Sequence, residues 1–121
     1  MYKLIVAGCR HYNDYLLLGK SVSAFMLESG LHTENTEIVS GGAKGADALG
    51  ERYAKEFSLP LNVFEANWKQ YGRAAGPIRN QQMAEYSTHL IAFLREGSKG
   101  TRSMINIATK GGLIIKVVPI D

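Results

Sequence analysis

The sequence predicts an α/β protein built on an open parallel five-stranded sheet with helices on both faces. Three observations predict it. Short apolar runs of strand length alternate with segments of helical period. Most of those runs are apolar at consecutive positions, as strands buried on both faces are. Glycine and proline punctuate the boundaries between them.

The elements follow in order. Lys3 to Gly8 is a first buried strand. Asn13 or Asp14 can cap a helix to about Ser29, with Tyr15, Leu18, Val22, Phe25 and Met26 at helical spacing and Gly30 ending it. Thr36 to Val39 is the second strand, and a helix from about Gly45 to Phe57 places Ala46, Leu49, Tyr53 and Phe57 on one face. Pro60 precedes a third strand, Leu61 to Glu65. A connection without a periodic pattern, Ala66 to Gly76, leads to a helix opened by Pro77 and running to about Tyr86. Thr88 to Leu94 is the fourth strand, Thr101 to Lys110 the last helix, and Leu113 to Val118 the fifth strand.

The chain of 121 residues reads as a single domain, 1–121, with no repeat or linker. Hydrophobic residues at 45% and charged residues at 21% are those of a folded globular protein rather than a disordered one. One cysteine excludes an internal disulfide, and His11, His32 and His89 share no metal-ligand spacing, so no metal is expected. The first residues lack the pattern of a signal peptide, and no apolar run approaches the ~20 residues that span a bilayer. A cytoplasmic protein that does not engage a membrane is the expectation. The net charge of +3 is modest. Its placement says more: Arg10, Lys44, Lys69, Arg73, Arg79, Arg95, Lys99 and Arg102 fall in or beside segments that follow predicted strands. A positive field over that edge of the sheet would draw in anions.

The site is expected at the carboxyl ends of the strands. After the second strand comes Ser40-Gly41-Gly42-Ala43-Lys44-Gly45, with Asp47 in the first helical turn. Glycines there let the backbone approach a ligand, and the helix start offers free N–H groups and a positive dipole end to a phosphate. Ser40 can donate to a phosphate or sugar; Asp47 either complements the dipole or takes a ribose hydroxyl. The turn is neither Walker A nor Gly-x-Gly-x-x-Gly, which disfavours kinase-type and ordinary dehydrogenase chemistry.

After the first strand, Gly8 permits close approach and Arg10 can pair with a phosphate through two bonds. Cys9 is expected to line the site between them; no histidine is placed to activate it, so it reads as packing rather than as a nucleophile. In the long connection, Trp68 and Tyr71 either stack on a base or plug the loop onto the core. Arg79 and Asn80 fall in a first helical turn, where a cation opposes the dipole unless an anion accompanies it. Gly97, Ser98, Gly100 and Thr101 make a second turn entering a helix.

Gly8-Cys9-Arg10, then Ser40 to Asp47, then Trp68-x-x-Tyr71-Gly72-x-Ala74-Ala75-Gly76-Pro77-x-Arg79-Asn80-x-x-Met83, then Gly100-Thr101 resembles the SLOG superfamily, in its YspA-core-related (YpsA-like) branch of small bacterial and phage proteins. The resemblance implies a Rossmann-like fold with strand order 3-2-1-4-5. It also implies a nucleotide or NAD- or ADP-ribose-like ligand that is sensed or processed, and a homodimer. Lonely Guy (LOG) phosphoribohydrolases look like more distant relatives: Arg79, Met83 and Gly100-Thr101 match their signature. Asn80 stands at that signature's lysine and Met104 at its catalytic glutamate, so the route to hydrolysis used by that family is not carried over, and Arg79 is the best catalytic candidate.

Binding of a phosphorylated, nucleotide-derived molecule, with no further cofactor required, is therefore the expected function. An N-glycosidase-type hydrolase is the first alternative. Single-stranded nucleic-acid binding is the second, because a related domain serves the DNA-processing protein A family. One Trp and six scattered Tyr do not specify the stacking groove such a binder uses.

Overall fold

The computed structural model describes residues 1–121. Five strands, β1 (Tyr2–Gly8), β2 (Thr36–Ser40), β3 (Leu61–Val63), β4 (His89–Arg95) and β5 (Ile114–Ile120), form one sheet in the order β3-β2-β1-β4-β5. Every adjacent pair is parallel. The helices are α1 (Tyr15–Glu28), α2 (Ala46–Glu56), α3 (Trp68–Tyr71), α4 (Ala75–Tyr86) and α5 (Lys99–Lys110).

The central strands explain the continuous apolar runs. Leu4 and Val6 of β1, with Ile91 and Phe93 of β4, enter a core with Leu18, Val22 and Phe25 of α1 and Tyr53 of α2. Ile5 and Ala7, with Leu90 and Ala92, turn to the opposite face and pack on Met83 of α4 and Met104 of α5. Register fixes the alternation: Leu4 lies opposite His89 and Ile5 opposite Leu90. Each face of the sheet thus has its own core.

Several boundaries differ from expectation for physical reasons. Asp14 caps α1, its carboxylate accepting from Leu17 N–H at 3.0 Å. Phe57 follows the end of α2 and is 46% exposed; Ala46 and Tyr53 are buried as expected, and Gly50 and Ala54 join them on the face that meets the sheet. A Cβ on Gly50 would lie 2.7 Å from the Val6 Cβ, so the small residue sets how closely α2 approaches β1. The stretch after β3 is not irregular throughout. Asn67 caps the one-turn α3 by accepting from Gln70 N–H, and a 3₁₀ turn, Gly72–Ala74, runs directly into α4. Helix α4 therefore starts at Ala75, which moves Arg79 and Asn80 from a first turn to a second and removes the dipole penalty expected there. No helix is long and apolar enough to cross a membrane.

Candidate functional site

The chain runs from β1 outward to β2 and β3, then returns to place β4 on the other side of β1. The carboxyl ends of β1 and β4 mark this reversal, and loops leaving them diverge to opposite faces, opening a crevice. A cavity of about 980 Å³ occupies it. Its walls include Gly8, Cys9 and Arg10 after β1, Gly41 to Lys44 and Asp47 after β2, Trp68, Arg79 and Asn80, and the 95–101 turn after β4. Residues 41–44 of the first glycine turn and 97–101 of the second thus meet at one place.

Ser40 and Gly45 do not line the cavity. Ser40 is fully buried; its hydroxyl donates to Glu51 Oε2 at 2.7 Å and accepts from Gly42 N–H at 3.1 Å. It ties the turn to α2 and is not free for a ligand. Gly45 adopts φ 76°, and a Cβ there would overlap the Cys9 carbonyl and the Arg10 backbone. Its missing side chain lets the β1 loop lie against the start of α2, where Ala46 N–H donates to the Cys9 carbonyl at 3.1 Å.

The β2 turn also differs from a simple phosphate cradle. Ala43 N–H donates to Asp47 Oδ2 at 3.4 Å, and Gly42 N–H is taken by Ser40. Two of the turn's amides are thus spent on internal partners, one on the Ser40 hydroxyl and one on the Asp47 carboxylate, which reaches back from α2 to the turn. Asp47 is only 5% exposed. Burial pushes its carboxyl up to about 6, against the opposing pull of the Ala43 amide and the Arg79 guanidinium. A carboxylate kept in so costly a place at a cavity wall is typical of functional sites.

Arg79 bridges elements distant in sequence. Its Nη1 donates to the Gly41 carbonyl at 2.5 Å and its Nε to Asn80 Oδ1 at 2.9 Å, joining α4 to the β2 turn. The remaining guanidinium N–H groups are free of these bonds. Arg79→Ala leaves the buried Gly41 carbonyl without this donor, at about 1–3 kcal/mol, so the ligand-free protein should melt roughly 5–10 °C lower. A ligand-free melt equal to wild type would show that the bridge carries no structural weight.

The amides still available lie at α5. Its first internal bond runs from Arg102 N–H to the Ser98 carbonyl (3.3 Å), so Lys99, Gly100 and Thr101 precede the helical ladder. Ser98 sits at the cap position, but its hydroxyl donates to Thr101 Oγ1 at 2.9 Å instead of capping an amide. Arg95 and Lys99 flank this helix start and line the cavity beside it. Around the whole cavity, Arg10, Lys44, Arg79, Arg95 and Lys99 outnumber Asp47, Glu65 and Glu96. The carboxylate Glu65, expected as the last residue of the third strand, lies two residues beyond β3, which ends at Val63, and so reaches the cavity wall.

Trp68 does not plug the core. It is 60% exposed, lines the cavity, and its ring edge lies 3.4 Å from where a Gly76 Cβ would stand. Tyr71 on the same helix is exposed and is not part of the cavity wall. Met104, 2% exposed, closes the floor between cavity and core with a thioether.

Three comparisons bear on this geometry. The family model described as the YspA, cpYpsA-related SLOG family matches residues 2–71, more than half of the chain. Arg79, Asn80 and the α5 turn lie beyond the matched residues, so their place in the site rests on the geometry above. The Gene 61 protein of Mycobacterium phage D29 is 27% identical over 119 residues, covering 93% of this chain and 93% of that protein. Among solved structures, DNA processing protein A from Streptococcus pneumoniae superposes with a TM-score of 0.75 at 18% identity over the whole of this chain. This chain spans about half of that one, 51% of its length, and at that identity the likeness speaks to the fold alone.

Proposed function

The chain belongs to the YspA, cpYpsA-related SLOG family, and from that premise we propose that the cavity binds a phosphorylated, nucleotide-derived small molecule. The observation that carries this reading is the convergence of the β1, β2 and β4 loops on one cavity beside the uncapped start of α5. Phosphate oxygens take the amides of Lys99 to Thr101, with Arg95, Lys99 and Arg10 supplying charge. Asp47 and Asn80, which also line the cavity, suit ribose hydroxyls. The exposed ring of Trp68 offers a base a stacking surface at the rim.

A thermal-shift series with nucleoside mono- and diphosphates tests it. A true ligand at about 100 times its dissociation constant adds about 2.7 kcal/mol, which raises the melting temperature by roughly 10 °C. Lys99→Glu is the informative variant. A carboxylate in the first turn of α5 favours the helix dipole, so the ligand-free protein should melt no lower than wild type. The same carboxylate repels a phosphate, and the nucleotide shift should disappear. A shift that survives Lys99→Glu removes α5 from the site.

One observation favours a second reading. Trp68 and Tyr71 are exposed on one short helix with Lys69 and Arg73 nearby, an arrangement that can stack and hold single-stranded nucleic acid. The structurally similar protein from Streptococcus pneumoniae is a DNA processing protein. Retention on single-stranded DNA that falls steeply with salt and is lost in Trp68→Ala, without any nucleotide shift, would select it.

A further inference from the structure

We propose that the nucleotide this cavity takes carries guanine, and that Glu65 is the residue that selects it. The inference rests on the nucleotide reading above and adds the identity of the base.

Glu65 is out of keeping with its surroundings. It is an exposed carboxylate on a wall that also carries Arg10, Arg79, Arg95 and Lys99, the groups that attract a phosphorylated ligand. By charge alone it weakens the hold on any anion. Nor does the β2 turn consume it. The amides of Gly42 and Ala43 are already given to Ser40 and Asp47, so the Glu65 carboxylate keeps its acceptor positions for something else.

Its place in the cavity suits the base. A Cβ on Gly42 would lie 3.3 Å from Glu65 Cγ, so the stem of Glu65 rests across the β2 turn, beside the residues that Asp47 engages. Trp68 follows three residues later, a stretch of chain that spans at most about 11 Å even when extended. Both side chains line the same cavity. A purine laid on the exposed Trp68 ring can bring its edge to the Glu65 carboxylate.

Guanine is the base whose edge matches a group that only accepts. Its N1–H and its 2-amino N–H point the same way and donate to both carboxylate oxygens at once. Adenine and cytosine offer an amine beside a ring-nitrogen lone pair, and uracil offers an N–H between two carbonyls. Each of those edges sets an acceptor against the carboxylate.

Calorimetric titration of the full chain with GMP, IMP, AMP and UMP tests the inference. GMP should bind about tenfold or more tighter than AMP and UMP. IMP, which keeps N1–H and lacks the 2-amine, should fall between them. Glu65→Gln turns one acceptor into a donor, so GMP should drop to the affinity of AMP, with AMP binding no weaker than before. Glu96→Gln, at another exposed carboxylate of the wall, should keep the guanine preference. Both positions are exposed, and circular dichroism melts check that each variant is folded.

AMP or UMP binding as tightly as GMP, a GMP preference that survives Glu65→Gln, or one lost equally in Glu96→Gln overturns the role of Glu65 while leaving the nucleotide site standing. Failure of all four compounds to bind overturns the nucleotide reading and this inference together.

Discussion

Gly45→Ala should lower the melting temperature by roughly 15 °C, a loss of about 4 kcal/mol, the largest single-methyl effect anticipated in this chain. Gly45 holds φ 76° and ψ −128°, a conformation strained for any residue with a Cβ. The added methyl also meets backbone, the Cys9 carbonyl and the Arg10 main chain, which cannot swing aside as a flexible side chain would. Relief requires pulling the β1 loop from the start of α2 and breaking the bond between Ala46 N–H and the Cys9 carbonyl. Gly100→Ala is the matched contrast. It sits in α5 with nothing within 4 Å of a new Cβ, so alanine should stabilise by about 0.5–1 kcal/mol through helix propensity. Calorimetric melts of the two variants decide the matter. A Gly45→Ala protein melting within a few degrees of wild type would mean the β1 loop and α2 are not locked together.

Asp47→Asn should make the protein more stable at neutral pH and a poorer binder. The carboxyl titrates near 6 in the native state against 3.8 for an unperturbed aspartate, with burial as the principal cause. Between those two values the native state keeps a proton that the unfolded chain has released, so stability falls as pH rises through that window. The full difference amounts to about 3 kcal/mol by linkage, present below pH 4 and lost by pH 7. Asparagine carries no charge to bury and can still accept from Ala43 N–H. The variant should therefore melt several degrees higher than wild type at pH 7, with the gap closing towards pH 4. Nucleotide affinity should drop about tenfold if the carboxylate holds a ribose hydroxyl. Melting curves of both proteins from pH 4 to 7 provide the test. A variant that melts lower at pH 7, or a gap that does not change with pH, contradicts the buried-charge account.

The two variants bear on different roles for one short segment. Gly45 and Ser40 build the turn; Asp47, though it also shapes the turn, faces the cavity. Residue types alone did not separate these roles. Serine and glycine in a strand-to-helix turn can serve a ligand or the turn's own packing, and only Glu51 and the Cys9 backbone, brought in from elsewhere, show which. Arg79 repeats the lesson. Its cationic head was readable as an anion ligand, whereas its bond to Gly41, 38 residues away, is a tertiary fact. Trp68 was ambiguous between core and rim because a four-residue helix has no period to reveal an apolar face. Met104 was legible at once, since replacing a carboxylate by a thioether changes the chemistry wherever the position lies.

Strand and helix types, their order, the parallel sheet and the two glycine turns were determined by sequence, because those signals come from residues within a turn or two of one another. The strand order came from family likeness and is borne out by the fold. Tertiary structure alone decided which amides remain open. Those after β2 are largely satisfied by Ser40 and Asp47, and those at α5 have no such partner, because a carboxylate of α2 reaches back to one turn and the other is left facing the crevice.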